Sequence, residues 1–333
     1  MDRMLRRTRE DREGLEHELL APAAAKADQT KGREEHEDPD EFRTSYERDR
    51  DRIVHAKAFR RLKHKTQVFL NPDGDHFVTR MTHTIQVTQV GRAMARGLGL
   101  NEDLTEAICL AHDVGHSPFG HTGEDALTPF VEGEWLHSLH GVRTLSLLEP
   151  LNLTYEVLDG VRAHTWKIDP PPETSEGLLC RYADRIAYLT HDVSDALRAG
   201  VIEYHEIPTA TLTTFGATSR EWIGAMATSV IETSHRLGHV EMDPNHLEVM
   251  GQLRDFMFER VYLSREAEAQ KEKAILIIQD LVRYYSENAQ EVPDSYTVPG
   301  AEPLTRAVDY VAGMTDRFAM NTHDRLYRPT LLD

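Results

Sequence analysis

The segment from residue 112 to residue 124 carries the densest group of potentially reactive side chains in the sequence. It reads His-Asp-Val-Gly-His-Ser-Pro-Phe-Gly-His-Thr-Gly-Glu, so three histidines and two carboxylates lie close together. His112 and Asp113 are adjacent and, on a helix, would point about 100° apart, which lets both reach one ion where two helices cross. Two glycines and Pro118 predict a tight turn that returns His121 toward the same place.

Further ligands for a divalent ion are available on neighbouring predicted helices. His83 lies upstream on its own helix, while Asp184, Tyr188 and Asp192 recur at every fourth position downstream and therefore share one helix face. Two imidazoles with two carboxylates suit manganese, magnesium, iron, cobalt or nickel better than a closed structural zinc. Each residue alone has an ordinary explanation as a solvated or core side chain. Together they are costly to bury without a metal or a partner, which favours a metal site.

Composition narrows the class of protein independently of the motifs. The 333 residues carry 38 Lys and Arg against 56 Asp and Glu, a net charge of −18, and 40% are hydrophobic. This is ordinary globular composition, and its acidic balance argues against extensive nucleic-acid binding. No apolar run approaches the ~18 residues of a membrane span, the start lacks the apolar centre of a signal peptide, and two cysteines are too few for a disulfide framework. We therefore expect a cytoplasmic enzyme or binding protein.

Helical periodicity dominates the chain from about residue 41 onward. Asn101 is predicted to cap a helix with an apolar face at Leu104, Ala107, Ile108 and Ala111. Further helices are predicted at 141–149, 152–163, 176–199, 219–236, 244–263, 265–289 and 303–322. Residues 209–216 are the candidate for a short strand or an extended loop. Residues 1–40 are predicted to form a charged, partly disordered arm, and residues 41–333 an all-α body with a C-terminal helical extension.

Several blocks of the chain resemble one protein family, in order along the sequence. His83, the pair His112-Asp113 and Asp184 resemble the H…HD…D signature of the HD-domain metal phosphohydrolases. The flanks narrow this resemblance to the bacterial deoxynucleoside triphosphate triphosphohydrolases, the dGTPase-like family, at residues 43–52, 59–68, 80–83, 112–124 and 310–318. The resemblance covers roughly residues 30 to 325 and implies an HD-domain helical fold with a metal site between core helices.

The resemblance implies a reaction and the residues that carry it. Water would attack the α-phosphorus of a deoxynucleoside triphosphate (dNTP) and release a deoxynucleoside and inorganic triphosphate. One divalent ion, Mn²⁺ or Mg²⁺ ahead of iron, cobalt or nickel, would be held by His83, His112, Asp113 and Asp184. The matches to catalytic positions are His121 and Glu124 for the water or proton transfer and His137 near the leaving group, and His116, on the same wall, could contact the α-phosphate. A histidine held by a carboxylate is a competent acid/base pair near neutral pH.

The same resemblance implies the substrate contacts. One arginine, three residues before His83, could reach a phosphate if both lie on one helix face, and two further arginines match family positions that contact the triphosphate, whose oxygens suit the planar guanidinium fork. A tyrosine and an aspartate match positions lining the sugar pocket, where they could reject a 2′-hydroxyl and hold the 3′-hydroxyl. A glutamine and a second tyrosine are candidates for the nucleoside side. These residues are Arg80, Arg185 and Arg254 for the triphosphate, Tyr188 and Asp192 for the sugar, and Gln67 and Tyr262 for the nucleoside side.

One block departs from the family pattern and leaves the substrate open. Relatives tend to show His-Asn-x-Gln where this chain has His137, Ser138, Leu139 and His140, so two amides are lost near the leaving group. We therefore expect broad base specificity rather than a strict dGTP preference.

Two other functions stay open at this point. One is an HD phosphohydrolase of an alarmone, a monophosphate or a cyclic nucleotide, and the other is a nucleotide sensor without turnover. Nucleotide activation and a homo-oligomer, a tetramer or hexamer, are implied by the resemblance alone, and no membrane partner is expected.

Overall fold

The computed structural model describes residues 4–68, 77–263 and 265–329, with only the backbone at 265–267. Across these residues the regular structure is helical, and pairing between extended segments is confined to two isolated antiparallel bridges, Arg33–Thr154 and Thr66–Thr79. The all-α fold class is therefore confirmed. The first three residues of the predicted arm lie outside the described residues.

The α-helices follow one another with short connections. Their bounds are α1 Arg9–Leu19, α2 Ser45–His55, α3 Lys57–Arg61, α4 Arg80–Leu98, α5 Glu102–Ala111, α6 His121–Leu127, α7 His137–Arg143, α8 Tyr155–Ala163, α9 Ser175–Arg198, α10 Thr209–Phe215, α11 Ser219–Leu237, α12 Pro244–Met257, α13 Arg265–Glu287, α14 Pro303–Ala312 and α15 Asp316–Tyr327. Two π-helical turns continue α7 and α12, at Thr144–Leu148 and Phe258–Tyr262.

The main core lies where α4, α5 and α9 cross. The predicted apolar face of α5 is confirmed, since Leu104, Ala107, Ile108 and Ala111 are fully buried, and the Asn101 side chain caps the helix by accepting from the Leu104 N–H at 3.1 Å. A smaller second core joins α6 to α13 and α14 through Leu127, Ile278, Val282 and Val311. The segment from residue 303 to residue 327, hereafter the C-terminal extension, therefore packs directly on the helix that begins at His121.

Two secondary-structure predictions are wrong. Residues 209–215 form the helix α10 rather than a strand or an extended loop, because Phe215 packs into the main core and such packing outweighs the low helix propensity of threonine. The predicted helix 303–322 is two helices, since the chain breaks after Ala312 and Thr315 caps a new helix by accepting from the Phe318 N–H. The break turns Asp316 toward the interior of the molecule, where it is buried.

The described part of residues 1–40 packs on the body. Helix α1 begins with a reciprocal capping box between Thr8 and Asp11, and Ala24 and Ala27 are buried in the main core. The Glu176 carboxylate, at the start of α9, accepts from the Ala25 N–H at 3.1 Å and from the Asn101 N–H at 2.9 Å through the same oxygen, Oε1. The domain division at residue 40 stays a prediction. Glu176 holds the segment before residue 40 against the body.

Replacing Glu176 should therefore test this attachment. Burial raises the pKa of Glu176 to about 7, and its Oε2 makes no hydrogen bond. Glu176→Ala should destabilise the protein by roughly 1–3 kcal/mol for each of the two orphaned N–H groups. Glu176→Gln keeps the accepting oxygen and should retain most of the stability, as measured by urea unfolding at pH 8. Equal losses in the two variants would contradict the role of the carbonyl-type oxygen.

Candidate metal and catalytic centre

Four predicted metal ligands meet at the helix crossing in the main core. His83 comes from α4, His112 and Asp113 directly follow α5, and Asp184 comes from α9. His83 Nε2 lies 3.1 Å from Asp184 Oδ1, and His112 Nε2 lies 3.8 Å from the same oxygen and 3.6 Å from Asp113 Oδ1. Ligand atoms of His83, His112 and Asp184 all fall within 4.8 Å of one another, so one ion could contact all three.

The hydrogen bonds around these residues fit a cation. His112 Nδ1 donates to the Cys109 carbonyl at 2.7 Å, so the lone pair of the ring is on Nε2, which is buried without a hydrogen-bond partner. Burial opposes the ionisation of Asp184, but its bond to His83 and the nearby His112 bring its pKa to about 2. A lone pair that faces ionised carboxylates in a buried space is satisfied by a divalent ion.

Arg80 lies beside a predicted metal ligand. Its Nη1 donates to Asp113 Oδ2 at 2.9 Å, and both side chains are buried. Burial opposes ionisation of Asp113, but His112 and Arg80 together hold the pKa of its carboxyl well below the usual value. A Cβ at Gly120 would come within 2.8 Å of Arg80 Nη2, so the guanidinium also fills the space under the turn. Arg80 therefore orients Asp113, in addition to the phosphate contact expected of it.

Glu124 joins two of the predicted catalytic histidines. Its Oε2 lies 2.5 Å from His121 Nδ1, while its Oε1 lies 2.8 Å from His137 Nδ1 and also accepts from the His137 N–H. Burial raises the pKa of Glu124, but the two histidines outweigh it and hold the pKa well below the usual value. The ionised carboxylate fixes both rings, and the His121 side chain is 77% exposed, so its Nε2 is accessible to a bound molecule.

His116 and His164 complete the wall of imidazoles. The His116 ring stacks on His137 with centroids 3.8 Å apart, and burial together with Arg80 lowers its pKa well below the usual value. His164 is a residue that the sequence did not single out. Its Nε2 lies 3.0 Å from His137 Nε2, and its ring contacts His112 at 5.1 Å between centroids. The sequence has eighteen histidines, and the position of His164 directly after the end of α8 does not distinguish it from the others. Only the packing of α8 against α5 shows that its ring lies at the site.

The predicted sugar contacts lie together on one side of this centre. The Tyr262 hydroxyl donates to Asp192 Oδ2 at 2.6 Å, and burial raises the pKa of Asp192 to about 7 although the tyrosine bond opposes the shift. Tyr188 is half-buried beside them, and burial raises its pKa to about 12, with Arg185 and Arg254 acting in the opposite direction. The structure therefore places Tyr188 next to two of the predicted phosphate-contacting arginines.

The remaining substrate candidates are only loosely held. Arg185 lies over the Trp166 ring at 4.2 Å and makes no ion pair among the described residues. Arg254 lies over Phe258 at 4.8 Å, and its side chain is 42% exposed. Gln67 has a buried Oε1 without a hydrogen-bond partner. All three side chains have hydrogen-bonding capacity left for a ligand.

Comparison with known families agrees with this arrangement. Residues 80–189 match the HD domain, and residues 240–325 match the phosphohydrolase-associated domain. HD domains are metal-dependent phosphohydrolases, so the fold and the His/Asp cluster define the class of the protein.

Relatives over nearly the whole length define the family more narrowly. Proteins named deoxyguanosinetriphosphate triphosphohydrolase-like are 42% identical in Caldanaerobacter subterraneus subsp. tengcongensis, over 97% of each chain, and 40% identical in Clostridium perfringens, over 96% of this chain and 98% of the relative. One from Geobacter metallireducens is 37% identical over 93% and 95% of the two chains. The chain therefore belongs to the deoxyguanosinetriphosphate triphosphohydrolase-like family, and the resemblance inferred from its motifs is confirmed.

A solved structure supports the fold alone. A hypothetical protein from Aquifex aeolicus aligns with a TM-score of 0.50 and 20% sequence identity, covering 84% of this chain and 68% of that one.

None of the helices in the described ranges combines the length and apolar character that a membrane crossing requires.

Substitutions should separate the predicted metal ligands from the predicted catalytic histidine. Asp113→Ala removes a carboxylate from the ion and a partner from Arg80, so Mn²⁺ binding measured by titration calorimetry should be lost. His121→Ala removes an exposed ring outside the cluster of His83, His112 and Asp184, although His121 forms a second potential metal-binding group with His116 and His137. This variant should leave Mn²⁺ affinity within about threefold of wild type, whereas loss of even an outer partner of a ligand costs about 10- to 100-fold. Wild-type Mn²⁺ affinity in Asp113→Ala would contradict the proposed ligand set.

Proposed function

We propose that this protein is a divalent-metal-dependent hydrolase that converts a dNTP to a deoxynucleoside and inorganic triphosphate. The observation that carries the proposal is the adjacency of two groups of side chains. One is the buried His/Asp cluster of His83, His112 and Asp184, and the other is the carboxylate Glu124 with the exposed ring of His121. The names of the relatives support the substrate class, and the lost amides beside His137 favour broad base specificity within it.

The metal would be held by His83, His112, Asp113 and Asp184. These two nitrogen and two oxygen donors suit Mn²⁺ or Mg²⁺, and also accept iron, cobalt or nickel. When bound, such an ion supplies Lewis-acid polarisation of a phosphoryl oxygen and lowers the pKa of water. Because Arg80 donates to Asp113 Oδ2, the other oxygen of Asp113 is left to face the imidazoles of the cluster.

Proton transfer is assigned to His121. Glu124 accepts from Nδ1 of the ring, so Nε2 is the atom that exchanges a proton with a bound substrate. As the oxygen of water bonds to the α-phosphorus and the bond from the α-phosphorus to O5′ breaks, the water loses a proton and O5′ gains one. Protonated His121 would donate its Nε2 proton to O5′, and the proton that the water releases would restore it. His137 is less suited to this step because its Nε2 is directed at His164, at 3.0 Å. His137 and His116 instead form a stacked wall against the α-phosphate and the leaving group.

The substrate would lie across the arginines toward the paired carboxyl and tyrosine. Arg185 and Arg254, which have free donors, would contact the triphosphate oxygens, and Arg80 would reach the phosphate closest to the metal. Tyr188 and Asp192 would contact the sugar, with Asp192 accepting from the 3′-hydroxyl. Gln67 and Tyr262 would complete the nucleoside side.

A product analysis tests the reaction. Wild-type protein with Mn²⁺ is incubated with each dNTP and each ribonucleotide, and the products are resolved by anion-exchange chromatography. We expect deoxynucleoside and intact triphosphate in equal amounts, with ribonucleotides turned over more slowly. Release of phosphate or pyrophosphate as the first product would contradict the proposal and favour another phosphohydrolase, and dNTP binding without any product would indicate a sensor. Asp113→Ala is the control for contaminating activity.

The carboxyl of Asp192 predicts a pH dependence of substrate binding. With its pKa raised to about 7, the side chain is neutral below that pH and charged above it, where it accepts more strongly from the 3′-hydroxyl. The KM for dNTP should therefore fall as the pH rises through about 7. Tyr262→Phe removes a bond that lowers this pKa, so the inflection should move to higher pH. Persistence of the same inflection in Asp192→Asn would assign it to another group.

A further inference from the structure

The backbone between the metal ligands and His121 is held by side chains from outside it. Three polar backbone groups of residues 114–120, hereafter the 114–120 turn, have such partners. His140 Nδ1 donates to the Gly115 carbonyl at 3.0 Å, and Lys65 Nζ donates to the His116 carbonyl. Asp316 Oδ1 accepts from the Phe119 N–H at 3.0 Å. Three of the backbone hydrogen bonds of the turn therefore depend on these side chains, while the N–H groups of Val114 and His116 donate to the carbonyls of Ala111 and Asp113.

All three side chains connect the turn with the C-terminal extension: Asp316 belongs to the extension, and Lys65 and His140 approach it. Asp316 is the first residue of α15, and its second oxygen accepts from the Thr66 N–H at 2.8 Å. The Lys65 ammonium donates in addition to the Ala312 carbonyl, at 3.1 Å, at the end of α14.

The third link runs through His140 to a carboxylate of the extension. His140 Nε2, which makes no hydrogen bond, lies 3.5 Å from Asp309 Oδ1, so this third link is a close approach that is weaker than the other two. That carboxylate is held by two bonds from Arg143, at 2.8 and 2.6 Å, so its position is fixed. The three links therefore connect one short turn with residues 309, 312 and 316 of the extension.

The linking groups are buried, so water does not replace them. Lys65 is 3% exposed, Asp316 6%, Asp309 2% and His140 7%. Burial lowers the pKa of Lys65 to about 7, and its Nζ bonds two carbonyls rather than a carboxylate. A buried amine between two backbone segments serves to hold them together, because each carbonyl would otherwise lack a partner.

The turn needs such support because its own conformation is unfavourable. Phe119 has a φ of +61°, in the left-handed region that a residue with a side chain seldom adopts, and Gly120 follows at +59°. Within the turn itself, the Ser117 hydroxyl bonds the Gly120 carbonyl at 3.1 Å. The Phe119 ring packs in the second core, against the extension. The extension therefore contacts both the backbone N–H and the side chain of Phe119.

We propose that Lys65 and Asp316 are positioning residues through which the C-terminal extension sets the 114–120 turn, and with it the direction of His121 and Glu124. This inference rests on the proposed hydrolase function. The metal ligands are held differently, since three of the four are anchored by α4, α5 and α9 in the main core. Loosening the extension should therefore reduce turnover while metal binding persists.

Variants of the full-length protein test the two positioning residues. Asp316→Ala removes both accepting oxygens, Asp316→Asn keeps one of them, and Lys65→Met replaces the ammonium with an apolar side chain of similar length. Hydrogen exchange of the amides at 114–121 should become faster in each, most in Asp316→Ala. Mn²⁺ affinity and KM should stay within about threefold, whereas kcat per Mn²⁺-binding site should fall on the order of 10- to 100-fold, as expected when reacting groups are displaced.

Asp280→Asn is the matched control. Asp280 lies on α13, bonds His323 of α15 at 3.1 Å, pairs with Arg283 and, among the described residues, makes no hydrogen bond or ion pair with the turn. This variant loses a carboxylate from the same region and should change neither the exchange of the turn nor kcat.

Three results would overturn the proposal. The first is wild-type kcat in Asp316→Ala despite faster exchange at the turn, and the second is exchange at the turn that stays as slow as in wild type. The third is faster exchange that extends through α4 together with loss of Mn²⁺ binding, which would indicate general destabilisation. If the wild-type protein hydrolyses no dNTP, the proposed function fails, while the exchange and Mn²⁺ measurements still decide whether the extension holds the turn.

Discussion

Buried carboxylates that face imidazole nitrogens are the constraint on which the rest of the structure depends. Asp113 is buried and the Asp184 side chain is 22% exposed, and in both the effect of burial on the pKa is outweighed, by His112 and Arg80 for Asp113 and by His83 and His112 for Asp184. Ligand atoms of His83, His112 and Asp184 lie within 4.8 Å of one another, so the helices that carry them must be rigid and closely packed. The fully buried face of α5 and the close approach at Gly91, where a Cβ would come within 2.9 Å of Cys109 Sγ, provide that packing.

The two parts of the site are supported by different parts of the fold. The predicted metal ligands lie on or directly after core helices, where a shift of one residue would disrupt the main core. The proposed acid/base pair, His121 and Glu124, lies on α6, a short helix entered through an irregular turn and packed on the C-terminal extension. A turn of this kind can bring His121 back toward Asp113, which a continuous helix could not do because His112 and His121 would then be about 13 Å apart along its axis.

The net charge of −18 does not describe the surroundings of this site. Many acidic side chains near the start of the chain are neutralised by nearby arginines, as in the pairs Arg33–Asp49 and Arg52–Glu37. The bond from Arg52 lowers the pKa of Glu37 to about 2, so these carboxylates are committed to structure. The field at a bound phosphate is instead set by nearby groups such as Arg185 and Arg254, which is why an acidic protein can still accept an anionic substrate.

The sequence by itself determined the helical class, the metal-ligand candidates and the family. Helix periodicity and the cluster at residues 112–124 are local properties that can be read without knowing which helices touch, whereas His83 and Asp184 were assigned with them by resemblance to the H…HD…D family signature. Tertiary packing decided the rest, because it depends on contacts between distant segments. The threonine-rich segment 209–215 is helical because Phe215 reaches the core, and the chain breaks before Asp316, whose carboxylate binds backbone groups far away in sequence. His164 and Lys65 lie beside the predicted site because they contact residues that are distant in the chain, His137 and His116. Such contacts leave no spacing pattern in the sequence.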